Sequence, residues 1–237
     1  EAGFGADLGA EKFYDIKCRK TGLQPDLTVL VVTLQALKMH GGVAQEDIKK
    51  PNIEGMKNGY WNLDKHVKNL QSFGQTVVIA FNKFATDTDE EIEVLRQHCE
   101  EMGCGFAVNN AFAEGGKGAV ELANLVVKTI DEHPSAPLYF AYKDDEPVEK
   151  KIEDVAFNLY GAGSVTMSDS AKAMIEEIKK LGAEKFPICI AKTQYSFSTD
   201  AKAYGPTEGF ELHVRDITVN MGAEMIVVIA GPIMRMP

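Results

Sequence analysis

The chain has 237 residues, 45% hydrophobic and 25% charged, so it can bury a sizeable core, and its composition excludes the disordered class. No apolar run approaches the roughly 18 residues of a membrane helix, so no membrane partner is expected. The net charge of −10 is spread along the chain rather than gathered in a tail, and without a basic stripe no nucleic-acid partner is expected.

The opening EAGFGADLG carries glycines at 3, 5 and 9. Glycine lets backbone N–H groups approach a ligand closely. The spacing is one residue too long for a dinucleotide fingerprint, and no G-K-[ST] follows as a phosphate loop requires. A tight turn into a helix over residues 10–17 is the plainer expectation. Residues 27–34 form a nearly unbroken β-branched run, expected to be a parallel strand buried on both faces. A glycine-rich exit (Lys38 to Gly42) and a polar excursion to Gly59 follow. Val67, Leu70 and Phe73 then predict a short amphipathic helix over 64–73.

Residues 77–81 read as a strand, and Thr86, Asp87 and Thr88 as helix N-caps, with acids at 89–91 complementing the helix dipole. Ile92, Leu95, Cys99 and Met102 give that helix its apolar face, and Gly103 its stop. A second strand is expected over 105–108, then a deeply packed helix over 118–131. Further on, strands are expected at 138–142, 164–167 and 187–191, with helices at 148–159 and, on a stripe of Ala171, Met174, Ile178 and Leu181, after Ser168. Residues 192–209 read as a polar loop. The alternation over 210–220 and the apolar run 225–230 predict a small mixed or antiparallel C-terminal portion. The class is therefore α/β, a mostly parallel sheet flanked by helices. Expected domains are 1–74, 75–200 and 201–237.

Cys18, Cys99, Cys104 and Cys189 form no C-x-x-C pair, and His40, His66, His98, His133 and His213 lack metal-ligand spacing. These cysteines and histidines are expected to be structural, with no protein metal ligands. Each strand at 77–81 and 105–108 runs into a polar loop holding a phenylalanine, Phe84 and Phe112. In open parallel sheets ligands bind outside the carboxyl ends of strands. Two rings there suit a flat ligand, although both also suit an apolar core. Asn82-Lys83 is similar to the N-K-x-D base-recognition motif of GTP-binding proteins, but Ala85 stands where that motif needs its acid. Glu114-Gly115-Gly116-Lys117-Gly118 is expected to open a helix whose free N–H groups favour an anion. A solvated glycine-rich loop fits those residues equally, as a surface loop fits Lys192 to Tyr195.

The opening EAGFGADLGAEKFYDIKCR closely resembles a signature stretch of formate–tetrahydrofolate ligase, also called 10-formyltetrahydrofolate synthetase. LTVLVVTLQALKMHGG, VVIAFNKFATDTDEEI, AFAEGGKGA, IAKTQYS and VRDITVN…GPIMRMP resemble further blocks of that family, in order. The resemblance implies ATP-dependent ligation of formate to tetrahydrofolate through formyl phosphate, in one-carbon metabolism. It also implies ATP with Mg2+, a monovalent cation, a cytoplasmic location and a homo-oligomer, typically a tetramer, at full length. Pterin stacking would fall to Phe84 and Phe112, the substrate loops to Asn82, Lys83, Thr86, Asp87, Gly115, Gly116 and Lys117, and the reacting centre to Gly3, Phe4, Gly5 and Asp7. The family usually has tryptophan in place of Phe112 and proline in place of Ala85. Both ends look cut, so the chain is expected to be the C-terminal part, inactive alone, with the ATP site mostly in a missing N-terminal portion. The alternatives are a nucleotide-binding module of GTPase type and a non-catalytic interaction domain.

Overall fold

The computed structural model describes residues 2–233. Met234 to Pro237, which close the last resembling block, lie outside the described residues. The chain divides into two compact units, Gln24–Tyr139 and the combination of Glu1–Leu23 with Phe140–Pro237. The borders expected near residues 74 and 200 fall inside these units.

In the Gln24–Tyr139 unit the β-branched runs pair as β1 (Thr28–Val32), β2 (Val77–Asn82) and β3 (Gly105–Asn109), all parallel, in the order β1-β2-β3. Central β2 buries Val77 through Phe81, and Phe81 stacks on Phe106 with ring centres 5.9 Å apart. The β1 strand is an edge, which corrects the expectation of two buried faces: Val29 and Val31 are 40% and 58% exposed. Helix α2 (Leu34–His40) follows β1, so Leu34 starts a helix rather than ending the strand. The polar excursion contains α3 (Ile53–Asn58), and the amphipathic helix is longer than expected, α4 (Tyr60–Ser72), burying Leu63, Val67 and Leu70. Helices α2 and α3 approach through glycines: a Cβ on Gly41 would lie 1.8 Å from the Gly55 carbonyl oxygen.

Helix α5 (Asp89–Glu101) begins with a capping box, in which the Thr88 side chain accepts from Glu91 N–H and the Glu91 side chain accepts from Thr88 N–H. Beyond β3 come a single turn, α6 (Ala111–Glu114), a 3-10 turn (Gly115–Ala119) and α7 (Val120–Glu132). Helix α7 is not deeply packed. It rests on β3, with Leu125 against Gly105, but Val120 and Val127 face outward and none of its residues is buried.

In the other unit the first helix, α1, runs over residues 6–21, from Ala6–Ala10 through Phe13–Cys18 to Arg19–Thr21. It starts four residues earlier than expected, and its first two parts are widened turns of the π type. Helix α8 (Val148–Val155) continues through Ala156–Tyr160, and α9 (Asp169–Lys180) is capped by Ser168. Ile175 shares the buried face of α9 with Ala171 and Ile178, whereas Leu181 is exposed. The sheet contains β4 (Ser164–Met167), β5 (Ile188–Ala191), β6 (Glu211–Asn220) and β7 (Met225–Ala230) in the order β4-β6-β7-β5. Only the β6/β7 pair is antiparallel. These two strands form the mixed C-terminal portion that was expected, and they are the centre of the sheet.

Residues 138–142 form no strand. Their backbone is tied elsewhere: Leu138 N–H donates to Gln24 Oε1 at 2.9 Å, Ala141 N–H to Asp15 Oδ1 at 2.9 Å, and the Tyr142 carbonyl accepts from Arg19 at 2.8 Å. No helix of the described residues is long and apolar enough to cross a membrane.

Candidate functional site

The carboxyl ends of β2 and β3 lie side by side, because the parallel register sets Asn82 opposite Asn109. Asn109 Nδ2 donates to Asn82 Oδ1 at 2.8 Å, and Lys83 N–H donates to the Asn109 carbonyl at 3.1 Å. The two loops are thus laced together where they leave the sheet. Phe84 follows Asn82 by two residues and is 44% exposed. Phe112 follows Asn109 by three and is fully exposed, at 102%. Neither is a core residue.

The first loop is held by its own acid. Asp87 Oδ2 accepts from Phe84 N–H at 2.8 Å, and the Asp87 N–H donates to the Phe84 carbonyl at 3.0 Å. Burial pushes the Asp87 carboxyl above its ordinary pKa, against the Phe84 N–H and the charge of Lys38. Lys83 Nζ reaches Asp89 at 3.2 Å, and Thr86 is exposed in the same turn. The second loop closes through Asn110, whose N–H donates to the Gly118 carbonyl at 2.9 Å and whose Nδ2 donates to Glu114 at 2.7 Å. A Cβ on Gly118 would lie 2.4 Å from that backbone. Gly115, Gly116 and Lys117 are exposed, and Gly115 takes φ +61°. They form the 3-10 turn ahead of α7 instead of its first turn.

Beneath the first loop lies a buried ion pair that sequence reasoning missed. Lys38 Nζ meets Glu91 Oε1 at 2.6 Å and donates to the Lys50 carbonyl at 2.8 Å, with both side chains almost inaccessible. Glu91 also accepts from Asn52 N–H at 2.8 Å and from the Thr88 hydroxyl at 2.8 Å. Burial alone would raise its pKa; the bonds from Lys38, Asn52 and Thr88 outweigh it and hold the carboxyl below the ordinary value. The one available signal was local: Lys38 shares a helical face with Leu34.

Gly3, Phe4, Gly5 and Asp7 belong to the other unit. The turn folds back on α1 so tightly that a Cβ on Gly9 would lie 1.9 Å from the Gly3 carbonyl oxygen. Phe4 takes φ +62°, a left-handed conformation that costs a non-glycine residue, and its ring is exposed. Asp7 is buried and accepts from Lys192 Nζ at 2.6 Å. Lys192 also donates to the carbonyls of Ser196 at 2.6 Å and Thr193 at 3.3 Å, and lies over the Tyr160 ring at 4.8 Å. Burial lowers its pKa, against the pull of Asp7. The expected polar surface loop after β5 therefore begins with a buried ion pair. Glu11 and Asp15, one and two turns along α1, are buried too, and burial pushes both carboxyls up. All four cysteines are free. No cluster of three or more His, Cys, Asp or Glu residues suited to a metal occurs among the described residues.

The family profile for formate–tetrahydrofolate ligase matches residues 1–237. The chain belongs to that family. It is 65% identical over 237 residues to the formate–tetrahydrofolate ligase of Bacteroides fragilis and 64% identical to that of Bacteroides thetaiotaomicron. The ligase of Campylobacter curvus is 48% identical over 238 residues. In each case the match takes in the whole of this chain and 43% of the relative. It does not place the chain in the C-terminal part of the ligase, which corrects that expectation. The expectation that the ATP and Mg2+ site lies mostly in a missing N-terminal portion conflicts with the same match and is corrected with it.

Proposed function

We propose that this chain serves the ATP-dependent ligation of formate to tetrahydrofolate and carries the folate-binding side of the site. In that reaction formate oxygen attacks the terminal phosphorus of ATP and ADP departs, leaving formyl phosphate. N10 of tetrahydrofolate then attacks the formyl carbon, the C–O bond to phosphate breaks, and N10 gives up its proton. The observation that carries the reading is the pair of exposed rings, Phe84 and Phe112, at the carboxyl ends of adjacent parallel strands. A ring exposed at such a place contributes little to folding and much to a flat ligand, since stacking adds about 0.5–1.5 kcal/mol per aromatic pair beyond area burial.

The remaining roles follow from the chemistry of each loop. Asn82, Lys83, Thr86 and Asp87 shape the Phe84 loop, and Gly115, Gly116 and Lys117 face the acidic portion of the substrate. For the turn from Gly3 to Asp7, in the other unit, the proposed role is to supply backbone N–H groups to an oxyanion, with Asp7 locked by Lys192. Holding amine and acyl phosphate together supplies much of the barrier reduction. We read the full-length assembly as a cytoplasmic homo-oligomer, in keeping with free thiols throughout. The test is calorimetry with a tetrahydrofolate analogue: Phe84→Ala and Phe112→Ala should each weaken binding by up to about tenfold. Unchanged affinity in both variants would sink the proposal.

A further inference from the structure

Asn109 closes β3 and uses both ends of its side-chain amide. Its Oδ1 accepts from Ala111 N–H at 3.2 Å, at the start of the turn that carries Phe112. Its Nδ2 donates to Asn82 Oδ1 at 2.8 Å, at the end of β2 and two residues before Phe84. The Asn109 amide cannot be turned over, because that would set Nδ2 against an N–H that can only donate. An Asn side chain often bonds the backbone two residues on and shapes a turn. Here the same amide also spans to the neighbouring strand end. Backbone pairing does not reach so far. The β2/β3 register stops at Asn82 and Asn109, and one further bond joins Lys83 N–H to the Asn109 carbonyl at 3.1 Å. Past it each loop closes on itself, Phe84 with Asp87 and Asn110 with Gly118. Both asparagines are half-buried, where water contests a hydrogen bond less than at the open surface.

We propose, resting on the reading of the two rings as a pterin clamp, that Asn109 is the positioning residue of that clamp. Its amide fixes the gap between Phe84 and Phe112 and acts on the ligand only through them. A face that swings contributes little to a stacked ligand, since the cost of ordering a loose turn is then met on binding. With the amide in place that ordering is complete beforehand. Without it, the Phe112 turn keeps its ties at Asn110 but loses its side-chain link to the foot of the Phe84 loop.

The test is calorimetry on the 237-residue protein with a tetrahydrofolate analogue, run as a double-mutant cycle of Asn109→Leu and Phe112→Ala. Leucine has nearly the shape of asparagine but no donor or acceptor, so Asn109→Leu should weaken binding about three- to tenfold. In the Phe112→Ala background the same change should alter affinity by less than about twofold, because no ring is left to place. Trp61 fluorescence should show Asn109→Leu costing the same stability in both backgrounds, so a merely structural role would not imitate the result. Asn109→Asp should bind within about twofold of wild type, since its carboxylate still accepts from Ala111 N–H and the Asn82 amide can turn over to donate to it. Wild-type affinity in Asn109→Leu, an equal loss in both backgrounds, or no rescue by Asn109→Asp would overturn the proposal while leaving the clamp standing, provided Phe112→Ala itself weakens binding. Wild-type affinity in both Phe84→Ala and Phe112→Ala would bring down the clamp and the role of Asn109 with it. If Asn109→Leu does not fold, Asn82→Ala, which removes the acceptor of the same bond, takes its place in the cycle.

Discussion

Replacing Glu91 with alanine removes more than a capping residue. The carboxylate is fully buried, and it meets Lys38 at 2.6 Å, Asn52 N–H at 2.8 Å and the Thr88 hydroxyl at 2.8 Å. After truncation the Lys38 ammonium stays buried with the Lys50 carbonyl, at 2.8 Å, as its remaining bonded partner described above. Breaking a buried pair from one side costs about 3–5 kcal/mol, because the surviving charge is left uncompensated. Glu91→Gln keeps acceptors for Asn52 and Thr88 and should cost about half as much. Trp61, the single tryptophan, donates to the His40 carbonyl in the same unit, so its fluorescence reports on the unit that contains the pair. With a urea slope of roughly 1.5 kcal/mol/M, Glu91→Ala should lower the Trp61 midpoint by about 2 M or more. The carboxyl's folded pKa lies below its unfolded value near ~4.3, so its contribution is complete above that pH and disappears as pH falls through the folded pKa. A shift below about 0.5 M, with an acid limb like that of wild type, would refute the reasoning.

Four further outcomes follow from other positions in the fold. Asp15 is raised by burial and then by Glu11, so the folded state holds its proton more tightly than the unfolded chain does. The stability this gives is present below the unfolded value near ~3.9 and declines as pH rises, so thermal unfolding should show Asp15→Asn losing less stability between about pH 5 and about pH 8 than wild type. Gly41→Ala drives a methyl group to 1.8 Å from the Gly55 carbonyl oxygen and should cost about 1–3 kcal/mol by Trp61 fluorescence. Gly116→Ala, with nothing within 4 Å, should stay within about 0.5 kcal/mol in the same assay. Lys192→Met should cost about 3–5 kcal/mol by circular dichroism, and a second change, Asp7→Leu, should recover part of it, because the unpaired carboxylate then disappears.

The parts of the fold that were readable in sequence are those set by local periodicity. Thr86 to Thr88 followed by three acids announce the start of α5, and Val77 through Phe81 announce a strand. The loops at Phe84 and Phe112 were legible because strand ends in parallel sheets are predictable places for ligands. Features closed by distant partners were not legible. Lys192 follows a strand as any surface lysine would, and its partner Asp7 is 185 positions away. The aromatic stretch 138–142 has strand composition, but Gln24, Asp15 and Arg19 take up its backbone groups first. Residues 118–131 are apolar on most sides, which predicts burial, yet α7 has one neighbouring sheet and leaves Val120 and Val127 outside. Composition gives the breadth of an apolar face; topology decides what is there to cover it.

The central claim is that Phe112 and Phe84 present aromatic faces to a pterin. Phe112 tests it most directly, since its side chain is fully exposed and its replacement leaves the core untouched. The measurement is calorimetric affinity for a tetrahydrofolate analogue across Phe112→Ala, wild type and Phe112→Trp. Affinity should rise in that order, with about 0.5–1.5 kcal/mol between alanine and phenylalanine and a smaller gain for the larger indole. Three equal affinities, with an undisturbed fold, would contradict the account.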